Sequence, residues 1–435
     1  MHAALVERPC ACIRRLAGRR AQEVRFTRFL RNDCVTAGEM VCHAAAGTAA
    51  RVAGRDVVVV QDTTELTLGG RRARASGYGP VGKGGALGGL LLHVALALEI
   101  GSNALLGLVD AKIWNRDGDK LVPRRSRATA GKESQRWLDA AAHASEVLAA
   151  ANSITIVSDR ESDIYEHFAR RRANTHLIVR ACQNRKIRTS GEAADALLFA
   201  FIDGLPEAGR ISVKIPAAPG RKERIAELAI RFSPVELRKP LHGAARDLPT
   251  TMTLMLVDVR EVSKPEDGAQ VHWRLLTTRP VGSLAEARRV IDLYRMRWGI
   301  EEFFRLLKTA GFDIEEADIG DPRVMIKFVA ATTVAAVTVM QLVKARDGTT
   351  DQQLTDAFEP DDRPVLEAVS TKLEGATALQ KNPHPKGSLA FGAWVIARLG
   401  GWTGYYGKPG PKVMRRGLDD FRRIKYGTTL GLHDV

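Results

Sequence analysis

Residues 291–311 read IDLYRMRWGIEEFFRLLKTAG and carry the most specific pattern of charged and apolar residues in the chain. An α-helix turns about 100° per residue, so one continuous helix here would gather its polar side chains within about 80° of arc, beside an apolar stripe. The polar stripe would comprise Tyr294, Arg297, Glu301, Arg305 and Lys308, and the apolar stripe Leu293, Ile300, Phe304 and Leu307. Carboxylates bind divalent metal ions, whereas Arg, Lys and Tyr bind phosphate oxygens. The segment therefore predicts a surface that meets a nucleic-acid backbone.

The same polar stripe also fits an ordinary exposed helix. Glu301 would then form salt bridges with the cations four or seven residues away along the helix, and such pairs are common on helix surfaces. This segment alone leaves the two interpretations open, and two isolated aspartates upstream favour the metal-binding one.

Each of these aspartates follows an apolar, strand-like run. Residues 56–64 read DVVVVQDTT, a β-branched run typical of a strand buried on both faces, and they place Asp62 at its polar end. Residues 153–159 read SITIVSD and place Asp159 directly after a second strand. Because open α/β sheets usually carry their chemistry at strand ends, both carboxylates are candidate metal ligands. An Asp that caps a turn would show the same pattern.

Composition indicates a globular protein with an anionic partner. The chain has 435 residues, 45% of them hydrophobic, which is enough for two or three domains with a sizeable core. Its net charge of +15 and isoelectric point near 9.8 favour nucleic acid as the partner, with an anionic membrane surface as the second candidate. The apolar run 328–340 is too short to cross a bilayer, and the run 85–101 is interrupted by His93 and Glu99. We therefore expect a soluble, cytoplasmic protein without a membrane segment.

The five cysteines indicate free thiols. They are Cys10, Cys12, Cys34, Cys42 and Cys182, an odd number without a repeated C-x-x-C spacing. This pattern supports neither a disulfide framework nor a zinc module. A zinc site built from Cys10, Cys12, Cys42 and His43 is the weaker alternative.

A glycine-rich segment, GYGPVGKGG, begins at Gly77 and matches most of a phosphate-binding G-x-x-x-x-G-K motif through Gly82 and Lys83. The match fails at Gly84, where a magnesium-binding Ser or Thr should stand, and Pro80 removes a backbone donor from the loop. We therefore predict a flexible turn between strands and no nucleotide cofactor, with a P-loop NTPase as the weaker alternative.

The rest of the chain predicts an α/β catalytic domain between two helical regions. Strands are expected at 90–98, 105–114, 153–158 and 175–180, with an amphipathic helix at 132–151. Four further strand-like runs lie between about 182 and 280 and indicate a β-rich insertion, and the pattern is mainly helical from residue 283 onward. The predicted division is an Arg-rich helical region at 1–55, a catalytic domain at 56–315 and a C-terminal helical region at 316–435.

Three acids that are far apart in sequence can converge on two magnesium ions. Asp62, Asp159 and Glu301 would supply the hard oxygen ligands that Mg²⁺ prefers. Two such ions support in-line displacement at phosphorus, and neighbouring Arg and Lys side chains would orient the substrate backbone. Glu161 and Asp163 are rival acids, but only Asp159 lies at the predicted strand end.

Together these residues resemble the signature of the DDE transposases of bacterial insertion sequences, specifically the insertion-sequence-four family that includes the transposon-five transposase. The signature Y-x-x-R-x-x-x-E-x-x-x-x-x-x-K is met by Tyr294, Arg297, Glu301 and Lys308. Further similar segments are QDTTEL around Asp62, SDRESDIYEH around Asp159, GLLLHVALAL after the glycine-rich loop and IARLGGW near the C-terminus. The similarity extends over nearly the whole chain.

The resemblance implies a ribonuclease-H-like catalytic core of the retroviral integrase superfamily, with a β-rich insertion before the glutamate and helical regions on both sides. It assigns Asp62, Asp159 and Glu301 to two Mg²⁺ ions, for which Mn²⁺ can substitute. Glu302 is not expected to take this role, because it would point about 100° away from Glu301 on the helix. The resemblance also assigns DNA contacts to Tyr294, Arg297, Arg305, Lys308, Arg180 and Trp273. Trp273 would hold a base flipped out of the duplex, although a strand Trp is more commonly a core residue.

The activity implied is end nicking, hairpin formation and opening, and strand transfer, without ATP or a covalent protein intermediate. The partners would be terminal inverted repeats, target DNA and a second copy of the chain in a synaptic homodimer, in the nucleoid of a bacterial cytoplasm. One departure is that residues 1–55 are fewer than the family usually has before the first strand. An N-terminally truncated, non-mobilising DNA-binding or inhibitory derivative is therefore the alternative.

Overall fold

A computed structural model describes residues 1–69, 77–116, 132–188, 196–215, 222–241, 245–265 and 270–431. The chain divides into two compact units. The sheet unit comprises Val57–Asp62 and Lys120–Trp298, and the helical unit comprises Met1–Asp56, Thr63–Asp119 and Gly299–Val435.

The described part of the chain contains both strands and helices, and only helices follow the last strand. The strands are β1 (Asp56–Thr67), β2 (Gly79–Val81), β3 (Leu87–Glu99), β4 (Leu105–Trp114), β5 (Ser153–Ser158), β6 (Thr175–Arg180), β7 (Lys186–Arg188), β8 (Ala196–Leu197), β9 (Gly209–Ile215), β10 (Arg224–Arg238), β11 (Thr251–Glu261) and β12 (His272–Thr277). The helices are α1 (His2–Glu7), α2 (Ile13–Ala17), α3 (Arg20–Arg31), α4 (Ala37–Arg51), α5 (Gln135–Val147), α6 (Tyr165–Ala169), α7 (Leu198–Asp203), α8 (Leu284–Arg295), α9 (Trp298–Lys308), α10 (Pro322–Ala345), α11 (Asp362–Leu373), α12 (Leu389–Leu399) and α13 (Pro411–Gly431).

The sheet unit is built on a mixed β-sheet, which confirms the predicted α/β class. Its strand order is β1-β5-β6-β12-β11-β10-β7-β8, with β9 also paired to β10. Strands β5 and β6 are parallel, with Ser158 opposite Val179, whereas β6, β12, β11 and β10 pair antiparallel in turn. The apolar, β-branched β5 is almost wholly buried, as a central strand requires. The four strand-like runs of the predicted insertion form β9 to β12 and continue this sheet.

The core of the helical unit surrounds α10. This helix packs against β4, α1 and α4, and its N-terminus is capped by Asp321, whose side chain accepts from Arg323 N–H, with Pro322 at the first helical position. It has 24 residues and extends beyond the predicted apolar run 328–340, so by length and composition the helix could cross a membrane. However, 83% of its most apolar stretch is buried inside the protein, which is typical of a core helix.

The segment 291–311 forms two helices rather than the single helix predicted. Between α8 and α9, Met296 and Arg297 donate their backbone N–H groups to the carbonyl oxygens three residues earlier, at 3.2 and 3.1 Å. These tighter bonds are typical of the last turn of a helix and mark the end of α8. Tyr294 belongs to α8, whereas Glu301, Arg305 and Lys308 belong to α9.

The glycine-rich segment forms the turn of the β2–β3 hairpin, which confirms the predicted turn between strands. Gly82, Gly84 and Gly85 adopt φ values of 77°, 72° and 72°, which only glycine reaches without strain. A strand follows this turn, whereas a P-loop leads into an α-helix, so the NTPase alternative is wrong. The N–H of Gly82 donates to Glu65 Oε2 at 2.7 Å instead of facing a phosphate.

Candidate active site

Asp62 lies inside β1 and not at its end, so the prediction of a strand tip is wrong. The strand continues to Thr67, and Leu68 N–H still donates to Gly88 O at 3.2 Å. Burial changes at this position, because residues 57–61 are buried whereas Asp62 and the three residues after it are partly exposed. The polar run therefore marks the end of the continuously buried stretch and not the end of backbone pairing.

Asp159 directly follows β5, as predicted. It precedes a 3₁₀ turn, Arg160–Ser162, and its carbonyl oxygen accepts from Ser162 Oγ at 2.8 Å. The two rival acids are engaged elsewhere. Glu161 accepts from Arg136, and the fully buried Asp163 carboxylate accepts from Arg185. A third of the Asp159 side chain and more than two thirds of the Glu161 side chain are exposed, and of the two only Asp159 lies directly at the end of β5.

Two side chains of the predicted signature contact the two aspartates. Arg297 Nη1 lies 3.4 Å from Asp62 Oδ2, and the Tyr294 hydroxyl donates to Asp159 Oδ1 at 3.4 Å. The Arg297 guanidinium is 5.8 Å from the centre of the Tyr294 ring, so the two contacts are neighbours. The sheet unit thus brings Asp62 and Asp159 to one region, connected through the chain segment between α8 and α9.

The surroundings keep the Tyr294 phenol neutral. The residue is only 2% exposed, and burial, followed by the negative charge of Asp159, raises its pKa. A protonated hydroxyl can donate to the carboxylate. Arg180 adds a cation to the same region, with Nη1 3.9 Å from Asp159 Oδ1 and Nη2 donating to His272 O at 2.9 Å.

Trp273 is buried in this structure, with 6% exposure. Its ring centre lies 5.6 Å from that of Tyr294 and 5.9 Å from that of Trp298, the latter in an edge-on arrangement. In this conformation Trp273 is therefore a core residue, and its ring packs against that of Tyr294. The role in holding a flipped base stays a prediction.

Glu301, Arg305 and Lys308 lie on α9 in the helical unit. Glu301 and Arg305 are exposed, and the opposite face of the helix is buried through Ile300, Phe303, Phe304, Leu306 and Leu307. Arg305 lies 3.9 Å from Glu302 Oε1, and Lys308 donates to Glu65 O and lies 3.4 Å from Glu315 Oε1. Arg305 thus pairs within its own helix, as in the surface-helix interpretation, whereas Lys308 contacts residues outside the helix.

A second acidic cluster was not evident from the sequence. Carboxylate or imidazole atoms of Asp203, Asp258 and His272 lie within 4.8 Å of one another, which is close enough for a metal ion. Three guanidinium groups surround them: Arg231 and Arg274 lie 3.7 and 3.6 Å from Asp258, and Arg274 and Arg260 lie 2.9 and 3.8 Å from Asp203. These cations already balance both carboxylates, so a divalent ion here would add to a positive cluster.

Asp62 and Asp159 fit a magnesium site better than this second cluster does. Their side chains are 24% and 33% exposed and offer only hard carboxylate oxygens. His272 instead supplies a nitrogen, which is bonded to Asp258 Oδ1 at 2.7 Å. The members of the second cluster come from α7, β11 and β12, and no local sequence pattern connects them.

Residues 125–335 match the family model of the transposase DDE domain. The match supports a DDE transposase. Such an enzyme binds DNA, cleaves it and transfers strands, and the mixed α/β sheet is consistent with the ribonuclease-H-like fold expected of it. The matched span contains Asp159, Tyr294, Arg297 and Glu301 and begins after Asp62.

Proposed function

We propose that the protein is a cut-and-paste transposase of the insertion-sequence-four family. The observation that carries this proposal is that Tyr294 and Arg297, two residues of the family signature, each contact one of the two predicted metal-binding aspartates. The third acid, Glu301, is assigned by the resemblance and lies within the matched DDE domain. The proposed ligands for two Mg²⁺ ions, or for Mn²⁺ in their place, are Asp62, Asp159 and Glu301.

Each residue near the aspartates has a proposed role in phosphoryl transfer. Bound metal ions would lower the pKa of the attacking water or hydroxyl and neutralise the leaving oxygen. Arg297 holds the Asp62 carboxylate in place, and Tyr294 does the same for Asp159 through a neutral donor. Arg180 supplies positive charge beside Asp159, where a scissile phosphate would bring negative charge.

The proposed substrates are the terminal inverted repeats of the element and its target DNA. The steps would be end nicking, hairpin formation, hairpin opening and strand transfer. Arg305 and Lys308 would contact backbone phosphates from α9, and Trp273 would hold a flipped base after becoming exposed. Residues 1–55 would contribute to DNA binding, since several arginines of α2 and α3 are exposed, and residues 316–435 would support a synaptic homodimer.

The direct test is substitution of the glutamate. Glu301→Gln should lower Mg²⁺-dependent cleavage of inverted-repeat DNA by at least about 100-fold, because a metal ligand is lost, while DNA binding is largely preserved. The matched control is Glu302→Gln, which removes the neighbouring carboxylate on the same helix and should leave the cleavage rate within a few-fold. Full cleavage by Glu301→Gln would disprove the assignment.

The alternative, a non-mobilising or inhibitory DNA-binding derivative, has a distinct outcome in the same assays. A gel-shift measurement on inverted-repeat DNA comes first. Tight, sequence-specific binding followed by cleavage supports the transposase. Weak or non-specific binding without cleavage, combined with inhibition of an active relative in a mixed reaction, supports the derivative.

A further inference from the structure

The turns that follow β5 and β6 leave the same edge of the sheet. The two strands are parallel neighbours, with Ser158 opposite Val179, so the chain emerges from both at the same level. The first turn begins with Asp159, and the second follows directly after Arg180. These are the two active-site candidates whose charged groups lie 3.9 Å apart.

Asp163 links these two turns. Its Oδ2 accepts from the backbone N–H groups of Cys182 and Gln183, both at 2.9 Å, and its Oδ1 accepts from Arg185 Nη2 at 2.7 Å. Arg185 also donates to the backbone oxygen of Asp163. One carboxylate of the first turn therefore receives three donors from the second.

A further contact runs between the same two turns. The thiol of Cys182 donates to Arg160 O at 3.2 Å. Within the first turn, Ser162 Oγ bonds both to Ser158 Oγ and to the backbone oxygen of Asp159. The position of the Asp159 backbone is thus connected, bond by bond, to the end of β6.

The Asp163 carboxylate is fully buried, and Arg185 is 9% exposed. A buried ion pair costs desolvation of both charges and is weak evidence for added stability. The pair fixes geometry more clearly than it adds stability, because a carboxylate can accept hydrogen bonds from several donors in defined directions at once. Few other side chains could replace it as an acceptor for two N–H groups and a guanidinium.

We propose that Asp163, together with Arg185, is a positioning pair that fixes Asp159 relative to Arg180 for metal binding and phosphoryl transfer. This inference rests on the proposed function for its catalytic consequence. Neither residue touches the reacting atoms. Groups that orient metal ligands from behind typically change metal affinity or activity by about 10- to 100-fold when they are removed.

The first test is the double variant Asp163→Asn/Arg185→Met. Both charges are removed together, so the interior is not left with an unpaired ion and the chain should fold. We expect the Mg²⁺ concentration for half-maximal cleavage to rise about tenfold, with partial rescue of the rate at high Mg²⁺. The matched control is Asp247→Asn/Arg170→Met. It removes an exposed salt bridge of the sheet unit, in which Arg170 Nη2 lies 3.0 Å from Asp247 Oδ2, and it should leave the Mg²⁺ dependence of cleavage unchanged. An unchanged Mg²⁺ dependence in the Asp163 double variant would overturn the proposal.

The second test does not require catalytic activity. Cys182 is exposed, as Cys12 is, but partial desolvation of its thiol, and then the charge of Asp163, raises its pKa to about 11, so its alkylation should be slow in the native protein. In Asp163→Asn the turns should separate and the Cys182 pKa should fall, so alkylation measured by peptide mass spectrometry should become several-fold faster. The exposed Cys12 of the helical unit is the internal control and should react at the same rate in both proteins.

The two tests separate failure of this inference from failure of the proposed function. If the unaltered protein cleaves no DNA, the proposed function fails, and the Cys182 alkylation rate still decides whether Asp163 holds the two turns together. If the unaltered protein cleaves DNA but Cys182 reacts at the same rate with and without Asp163, the positioning role is disproved and the transposase assignment stands.

Discussion

Two acidic clusters of the sheet unit differ in what surrounds their carboxylates. Asp62 and Asp159 are 24% and 33% exposed, and their contacts to Arg297 and Tyr294 are long, at 3.4 Å. Asp258 is fully buried and bonds to His272 at 2.7 Å, with two arginines close by. A carboxylate that binds a metal must keep oxygens within reach of the ion, whereas the buried Asp258 carboxylate is held by one hydrogen bond from His272 and by the charges of two arginines. Proximity of acidic groups alone does not separate the two cases.

The largest expected effects come from exchanging the two kinds of aspartate for asparagine. Asp159→Asn should lower cleavage by about 100- to 1,000-fold and leave the melting temperature unchanged, because it removes a partly exposed metal ligand. Asp258→Asn should instead destabilise the protein by about 3 kcal/mol, since it removes a buried carboxylate charge that is bonded to His272 and flanked by Arg231 and Arg274. Cleavage assays and thermal unfolding of both variants measure whether each substitution affects activity or stability. The comparison fails if Asp258→Asn removes cleavage without loss of stability.

A smaller effect is expected from Tyr294→Phe, which removes the donor to Asp159 and keeps the ring. The hydroxyl bonds to a carboxylate at a long distance, so we expect cleavage to slow about tenfold. Because the pKa of Tyr294 is raised above its usual value of 10, the hydroxyl stays protonated at pH 7 and at pH 9. The ratio of unaltered to variant cleavage rates should therefore be constant over this range. A ratio that falls towards one by pH 9 would show that the phenol ionises and does not act as a neutral donor.

The smallest effect is expected from Lys308→Ala, which probes DNA binding and not the metal site. Loss of one phosphate contact should weaken binding several-fold and reduce the slope of log affinity against log salt by about one. The control is Lys386→Ala, an exposed lysine of the helical unit that pairs with Glu367 at 3.1 Å. Gel-shift titrations at several salt concentrations measure both. If the slope of log affinity against log salt were the same for both variants, Lys308 would not be a DNA-contacting residue.

Local sequence patterns predicted the strands of this protein well. The expected strands 153–158 and 175–180 correspond to β5 and β6 at both ends, because β-branched runs bounded by polar residues leave little choice of register. The acid after β5 was placed correctly for the same reason. The sequence pattern misplaces Asp62, because a polar run after a buried stretch predicts the end of a strand, whereas backbone pairing continues to Thr67.

Features that depend on packing were not accessible from the sequence. The break between α8 and α9 falls at Met296 and Arg297, where neither Gly nor Pro interrupts the helical pattern. The contacts of Arg297 with Asp62 and of Tyr294 with Asp159 join segments that are distant in the chain. The same holds for Asp163, which was predicted only as a rival acid and proves to be a buried acceptor for the turn after β6.

The most direct test of the central claim is a crystal structure of the protein with Mn²⁺ and inverted-repeat DNA, with the ions located by their anomalous scattering. We predict Mn²⁺ bound by the carboxylates of Asp62, Asp159 and Glu301. The contradicting result is Mn²⁺ at Asp203, Asp258 and His272, with none at the three proposed ligands.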